Sequence, residues 1–465
     1  MTDRAPSPWS VLALTSIAVF MVSLDTTVLY VAFEGLRRSF PTDSDADLSW
    51  VLNLYTIVFG ALLVSAGRLA DRVGRRRVFM LGTGLFALAS ALCGLAPTPD
   101  LLLAGRVVQA IGAAMLLPAS LALVLAAFPR EKRAIAISIW GAVGALAAAV
   151  GPAVGSAIVQ TLGWRWAFYI NVPIGILTIV RSRVRLAESR ESVPGPLPNA
   201  FGILCAIGAP GLLAFGIIGA GAWGPRSPET LGSIAGSLAL FGLLVLDARR
   251  SRAPVVDGSL FRDRNYRIAT WATLAFSIAF SAMFFGCILF LTRVWSYSIL
   301  RAGLAMTPGP LAVIPFALIA GRFAAKRGHK NLLVMGGLAY AVAAATLRVF
   351  ATPDPAYLTL MLPTSIVFGA AIGLVLPSLS GVAVHGLPPD RFALGVAINQ
   401  AVRQVGSVLG VAFVIGLATR MPLTFPYQPI FLLLIIGGLV TAGLGANVRT
   451  APVPTATTGG TSAAE

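Results

Sequence analysis

Charged residues are scarce in this 465-residue chain: Asp, Glu, Lys and Arg together make up 11% of it, well under the quarter or so typical of soluble domains. Hydrophobic residues make up 57% and the mean hydropathy is +0.84. That balance excludes an ordinary water-soluble globule and leaves a chain that crosses a membrane many times.

Lysine is rarer still. Lys132, Lys326 and Lys330 precede Arg133, Arg327 and Asn331, whereas a phosphate-cradling loop needs Lys followed by Ser or Thr. The two histidines, His329 and His385, fall in or beside basic loops, and no Gly-x-Ser-x-Gly elbow occurs. No apparatus for ATP hydrolysis or nucleophilic catalysis is visible, so no catalytic residue and no enzyme activity is expected. Cys93, Cys205 and Cys287 lie far apart in apolar runs without partner histidines, which argues against a disulfide or a metal site.

What the chain does have is arginine, and the formal net charge is +17. Most of the basic residues fall in short loops on alternate sides of the apolar runs, the cytoplasmic side of a positive-inside arrangement. The basicity orients a bundle toward anionic inner-leaflet lipid and requires no nucleic-acid partner. Arg4 and a long apolar run without a small-residue cleavage site open the chain, which reads as a retained first span rather than a signal peptide.

The organising stretch is Gly67 to Arg77, Gly-Arg-Leu-Ala-Asp-Arg-Val-Gly-Arg-Arg-Arg, joining apolar runs at Ser49 to Ala66 and Val78 to Ala96. Each run is long enough to cross a bilayer as a helix. A plain positive-inside loop needs the arginines but neither Asp71 nor the spaced glycines. The loop resembles, almost residue for residue, the signature between the second and third helices of the major facilitator superfamily, with Gly67, Asp71, Arg72, Gly74 and Arg75 at its positions. A second basic turn, Gly321 to Lys330, repeats Gly67, Arg68, Ala70 and Gly74 as Gly321, Arg322, Ala324 and Gly328, with Ala325 in place of Asp71.

The chain is thus identified as an all-α polytopic membrane protein of the major facilitator fold: two six-helix bundles plus two inserted helices, fourteen spans, both termini cytoplasmic. The expected organisation is a cytoplasmic N-terminus over 1–8, an N-terminal bundle over 9–181 and a Pro-rich linker over 182–199. Inserted spans at 200–247, a cytoplasmic loop at 248–267, a C-terminal bundle at 268–446 and a disordered tail at 447–465 complete it. Span one is read as Trp9 to Phe33, with Arg37 and Arg38 in an external loop. The stretch Trp164 to Gly175, Trp-Arg-Trp-Ala-Phe-Tyr-Ile-Asn-Val-Pro-Ile-Gly, resembles the one at the same place in the 14-span drug:proton antiporter branch. As aromatics at a membrane boundary, these residues also suit an interfacial belt.

Asp25 stands out as the one carboxylate well inside a span as read here, and a charge at that depth costs several kcal/mol unless paired or wet. Its setting, Leu24-Asp-Thr-Thr-Val, is similar to the first-span motif of the same antiporters, with Tyr30 and Phe33 departing from the pattern. Arg106, in a stretch resembling the family's span-four motif, lies ~8 Å below the outer end of its span, and Asp25 lies ~12 Å below the end of its own. Burial disfavours a charged carboxylate and a nearby guanidinium favours it, so relative movement of two helices would change which form is preferred. Asp25 is expected to bind the driving proton, Arg106 to tune it and Gln109 to relay. A static pair that only locks the helices is the competing reading.

The resemblance implies further roles. Gly144, Gly151, Pro152 and Gly155 are similar to the span-five motif of antiporters, where a Gly-Pro step would act as a hinge; together with Gly67, Asp71, Arg72, Gly74 and Arg75 they are assigned to conformational gating. Asn399, Arg403 and Gln404, with Gln400, form a polar patch in span thirteen resembling the branch's Arg-Gln-x-Gly stretch, which would line the cavity or close an inner gate. Thr26, Thr27 and Tyr30 are assigned to the substrate cavity. Phe276, Phe280 and Phe284 make a stripe that faces lipid or packing neighbours more readily than a ligand.

The expected function is proton-coupled export of hydrophobic or amphipathic small molecules by alternating access, by a monomer in the inner plasma membrane, with no cofactor beyond the proton gradient. Having a single intramembrane acid argues for neutral, monocationic or zwitterionic cargo. The alternatives are a dedicated exporter of one endogenous metabolite or antibiotic, and a non-transporting receptor with the same fold.

Overall fold

With no water inside a bilayer to satisfy free backbone groups, only closed hydrogen-bonding patterns span it, and this chain uses helices. The computed structural model describes residues 7–129, 132–190, 196–387, 391–418 and 427–449. Its helices in chain order are α1 (Pro8–Ser39), α2 (Asp45–Val73), α3 (Arg75–Leu95), α4 (Pro99–Ala127), α5 (Arg133–Leu162), α6 (Trp166–Tyr169), α7 (Asn171–Arg185), α8 (Ala200–Trp223), α9 (Pro228–Arg250), α10 (Arg264–Arg293), α11 (Ile299–Met306), α12 (Pro308–Arg327), α13 (Lys330–Phe350), α14 (Leu362–His385), α15 (Phe392–Ala418) and α16 (Gln428–Ala446). Among the described residues, 13 helical segments are long and apolar enough to cross a membrane, with α6–α7 and α11–α12 each forming one. The 30-residue α5 is a further long helix in the series.

The breaks have local causes. Pro173 lacks an amide hydrogen and its ring crowds the carbonyl four residues back, at Tyr169, where α6 stops. Pro308 and Pro310 act in the same way between α11 and α12. Gly74 joins α2 to α3 at φ 127°, a conformation open to glycine, and the Glu188 carboxylate fills the space a side chain would need. Gly82 and Gly112 have no room for a Cβ either, so the backbones of α3 and α4 touch there.

Helices α1–α7 form one half and α10–α16 the other; they meet chiefly where α2 packs on α15 and α5 packs on α11 and α12. The inserted α8 and α9 pack on each other, and α8 covers the seam between α2 and α15. At the linker, Asn199 caps α8 by accepting from the Gly202 amide at 2.6 Å and donates to Asp247 Oδ1 at 2.6 Å and Ser251 Oγ at 2.8 Å.

Two expectations need correction. Helix α1 continues past Phe33 to Ser39, so Arg37 and Arg38 belong to its last turn, where their charge suits the negative end of the helix dipole. Asp25 is also not the one carboxylate buried in a long helix: Glu34 in α1 and Asp247 in α9 are buried too. Most of the expected disordered tail lies outside the described residues, as does part of the linker.

Candidate functional site

Asp25 is 3% exposed and Arg106 is 1% exposed, and each is fixed by its helix at the same level of the N-terminal half. Arg106 Nη1 donates to Asp25 Oδ2 at 2.7 Å and also to Gln109 Oε1, while its Nε donates to the Val51 carbonyl at 3.1 Å. Gln109 Nε2 donates to Asp25 Oδ1 at 2.9 Å and to Ser90 Oγ at 2.8 Å. Asn171 Nδ2, at the start of α7, donates to Asp25 Oδ1 at 3.2 Å. The guanidinium lies 3.9 Å from the Tyr55 ring centre, a cation–π contact in a desolvated setting.

Three helices, α1, α4 and α7, therefore meet at one carboxylate, and α2 and α3 hold its partners Arg106 and Gln109. An ion pair this deep persists because amides from α4 and α7 satisfy the remaining lone pairs of Asp25. Sequence reasoning placed Asp25, Arg106 and Gln109 together but missed Asn171, Ser90 and Tyr55. The available signal for Asn171 was an amide inside an apolar span, which at that depth needs a partner.

A crevice of about 10 Å³, room for one water, lies between Thr26, Tyr30, Leu52, Asn53, Thr56, Arg106, Ser407 and Val411. Neither amide atom of the buried Asn53 has a hydrogen-bond partner among the described residues. Tyr30 Oη and Ser407 Oγ face each other across the two halves at 3.4 Å.

The ends of the bundle differ. From Thr27 to Glu34 and from Ser281 to Leu291 every residue of α1 and α10 is buried. Toward the basic-loop end, α1 keeps an accessible stripe at Ala13, Ile17, Phe20, Ser23 and Thr26, residues three or four apart and so on one face. The halves are thus sealed by α1 and α10 at the end away from the basic loops, under a surface cavity of about 650 Å³ lined by Glu34, Arg37, Asp45, Arg293 and Tyr297, and α1 is more accessible toward the basic end. Rings seal the closed end: Phe33 meets Phe285 edge-on at 5.1 Å, and Tyr30 lies 5.6 Å from Phe284. Above them, Arg293 Nε donates to Glu34 Oε1 at 2.8 Å and its Nη1 to Asp45 Oδ2 at 2.8 Å, while Arg37 Nε lies 3.2 Å from Asp45 Oδ1.

This latch ties α10 to α1 and α2, with Arg293 and its two acids largely shielded from solvent. Arg293→Gln is expected to loosen it. A loss of about 1–2 kcal/mol multiplies the population open at that end by roughly 5–30. Spin labels at Arg38→Cys and Ser296→Cys, on exposed positions of the two halves, report it as a longer distance; the buried native cysteines stay unlabelled. An unchanged distance distribution would show that the aromatic seal suffices.

Other candidate residues fall as follows. Thr26 is on the accessible stripe, but Thr27 packs where Gly151 of α5 leaves space, so it lines the α1–α5 contact instead of the cavity. Gly144 and Gly155 likewise bring α5 against Val19 and Val28, and α5 runs unbroken through Pro152. Asn399 is buried on α10, donating to Thr273 Oγ1 at 3.1 Å, and is not exposed to the cavity. Gln404 packs over Gly60 of α2, whereas Arg403 is exposed. Asp71 pairs with Arg75 Nη2 at 2.9 Å within the same turn, Arg72 is exposed, and Gly67 lies against Pro118. Phe276 is fully buried against Tyr340, so the α10 stripe turns inward, away from lipid.

The family model described as Major Facilitator Superfamily matches residues 15–411 and again 270–463. The chain is 32% identical to the puromycin resistance protein pur8 of Streptomyces alboniger, covering 89% of this chain and 82% of that one. It is 29% identical to the tetracenomycin C resistance and export protein of Streptomyces glaucescens, covering 90% and 78%. Against the multidrug resistance protein Stp of Mycobacterium tuberculosis (strain CDC 1551 / Oshkosh) the identity is 32%, covering 86% and 73%. A crystal structure of a mutant of the nucleoside transporter NupG superposes with a TM-score of 0.63 at 14% identity, covering 94% and 98%, which is a likeness of fold.

Proposed function

This chain belongs to the Major Facilitator Superfamily and is a multi-pass membrane transporter, and on that premise we propose that it exports small amphipathic molecules in exchange for protons. The observation that carries the reading is the buried Asp25–Arg106 pair, at 2.7 Å, beside the crevice under the cavity apex. Asp25 would hold the proton, Arg106 would compete with that proton for the carboxylate, and Gln109 and Asn171 would hold its oxygens in place in either state. The crevice at Asn53 and Thr56 has room for one water beside Arg106, the partner of Asp25.

The cycle follows from the two ends. Cargo enters between the halves from the cytoplasmic, basic-loop side, the halves rock, and the latch at Arg293 opens to release it outside. The carrier acts in the inner plasma membrane, surrounded by lipid, as a monomer, and needs no cofactor. Two relatives are named for single antibiotics, which favours dedicated export of one compound as the second reading.

The test is vesicle transport. In proteoliposomes an imposed pH gradient is expected to drive cargo accumulation without nucleotide, and a protonophore to abolish it. Accumulation that persists with the gradient collapsed would rule out proton coupling.

A further inference from the structure

Arg403 is an intramembrane cation with a different environment from Arg106. It lies about three turns into α15, is exposed, and makes no hydrogen bond or ion pair among the described residues. Its direction follows from what surrounds α15. Gly406 and Gly410 lie against Ser277 and Ser281 of α10, Gln404 against Gly60 of α2, and Gly416 against Ile217 of α8. At ~100° per residue, these contacts leave one sector free, opposite α8, and it holds Gln400, Arg403 and Ser407. Ser407 meets Tyr30 at 3.4 Å at the apex, so Arg403 faces the cavity below the apex, toward the basic end.

The carboxylates are distributed in the opposite way. Both oxygens of Asp25 are engaged and the side chain is sealed from the cavity. Glu34 and Asp45 are tied to Arg293 at the closed end, and Asp71 to Arg75 at the basic end. Among the described residues, the cavity therefore presents an uncompensated cation and no uncompensated anion. A guanidinium at this depth is tolerable while wet, but cargo that displaces its water must supply acceptors or leave it stranded.

We infer that Arg403 is a specificity residue that selects cargo carrying a negative charge, a carboxylate, sulfonate or acidic phenol on an apolar ring system. The inference builds on the transporter reading and reverses the expectation of neutral or cationic cargo drawn from a single acid. The guanidinium fork engages the acidic group while the apolar stripe of α1, at Ala13, Ile17 and Phe20, takes the ring.

Equilibrium binding to the full chain in nanodiscs, with empty nanodiscs subtracted, tests this without requiring transport. The probes are 1-anilinonaphthalene-8-sulfonate and N-phenyl-1-naphthylamine, the same ring system with and without the anion, and the cation ethidium. The parent is expected to prefer the sulfonate. Arg403→Gln should weaken sulfonate binding roughly tenfold, the scale of one charge-assisted contact, and leave the neutral probe within about twofold; Arg403→Lys should retain most of the affinity. Equal loss for both probes, no loss for the sulfonate, or a parental preference for ethidium would each overturn the assignment. A normal charge preference in a protein that moves no protons would instead fault the coupling reading and leave this one standing.

Discussion

Asp25→Asn is expected to abolish cargo-driven proton movement in proteoliposomes, lowering it at least about a hundredfold, the scale on which removing a proton-transferring group is felt. Asparagine has nearly the shape of the carboxylate and keeps an acceptor for the Gln109 and Asn171 amides, which lie at 2.9 and 3.2 Å. What it lacks is a site that gains and loses a proton and the charge that balances the buried Arg106, so flux is read per folded protein. Cargo binding, which uses the cavity and not the sealed pair, should stay within about threefold, because Asp25 does not reach the cavity surface. Parental flux in the variant would remove Asp25 from the mechanism, and a joint collapse of binding and flux would return the pair to a structural role.

The second large effect is on stability. Arg106→Gln strands the Asp25 carboxylate among α1, α4 and α7, and removing one partner of a buried ion pair costs about 3–5 kcal/mol. The variant also forfeits the Tyr55 stacking at 3.9 Å and the bond to the Val51 carbonyl. Adding Asp25→Asn removes the stranded charge, so the double variant should recover more than half of that loss in a denaturation series. Additive losses in the two single variants would mean that the residues do not interact energetically. The double variant should recover the fold but not the coupling, which separates the two roles of the pair.

Much of this was legible in the chain. Apolar runs of bilayer length separated by arginine turns fix the number and direction of helices, because lipid leaves the backbone no other solution. The equal depth of Asp25 and Arg106 followed from counting residues to the helix ends, and side chains of opposite charge at one level in a bundle find each other. Rotation about each helix was not legible. Where nearly every residue is apolar, hydropathy carries little phase, so Thr27 and Asn399 were assigned to the cavity although they pack on α5 and α10. The latch was hidden for a different reason. Glu34 and Arg293 belong to distant helices, and ending span one at Phe33 put Glu34 outside the membrane when α1 continues to Ser39. Glu188, whose carboxylate accepts from the Arg76 amide at 3.1 Å, sits in the linker and gave no sequence signal of its own.

The central claim, that Asp25 takes up and gives back a proton during the cycle, is tested most directly by infrared difference spectroscopy on the reconstituted protein. Acidifying the sample should produce a protonated-carboxyl stretch that shifts in heavy water, changes when cargo is added, and is missing from Asp25→Asn. A difference spectrum in which that band is identical in parent and variant would contradict it.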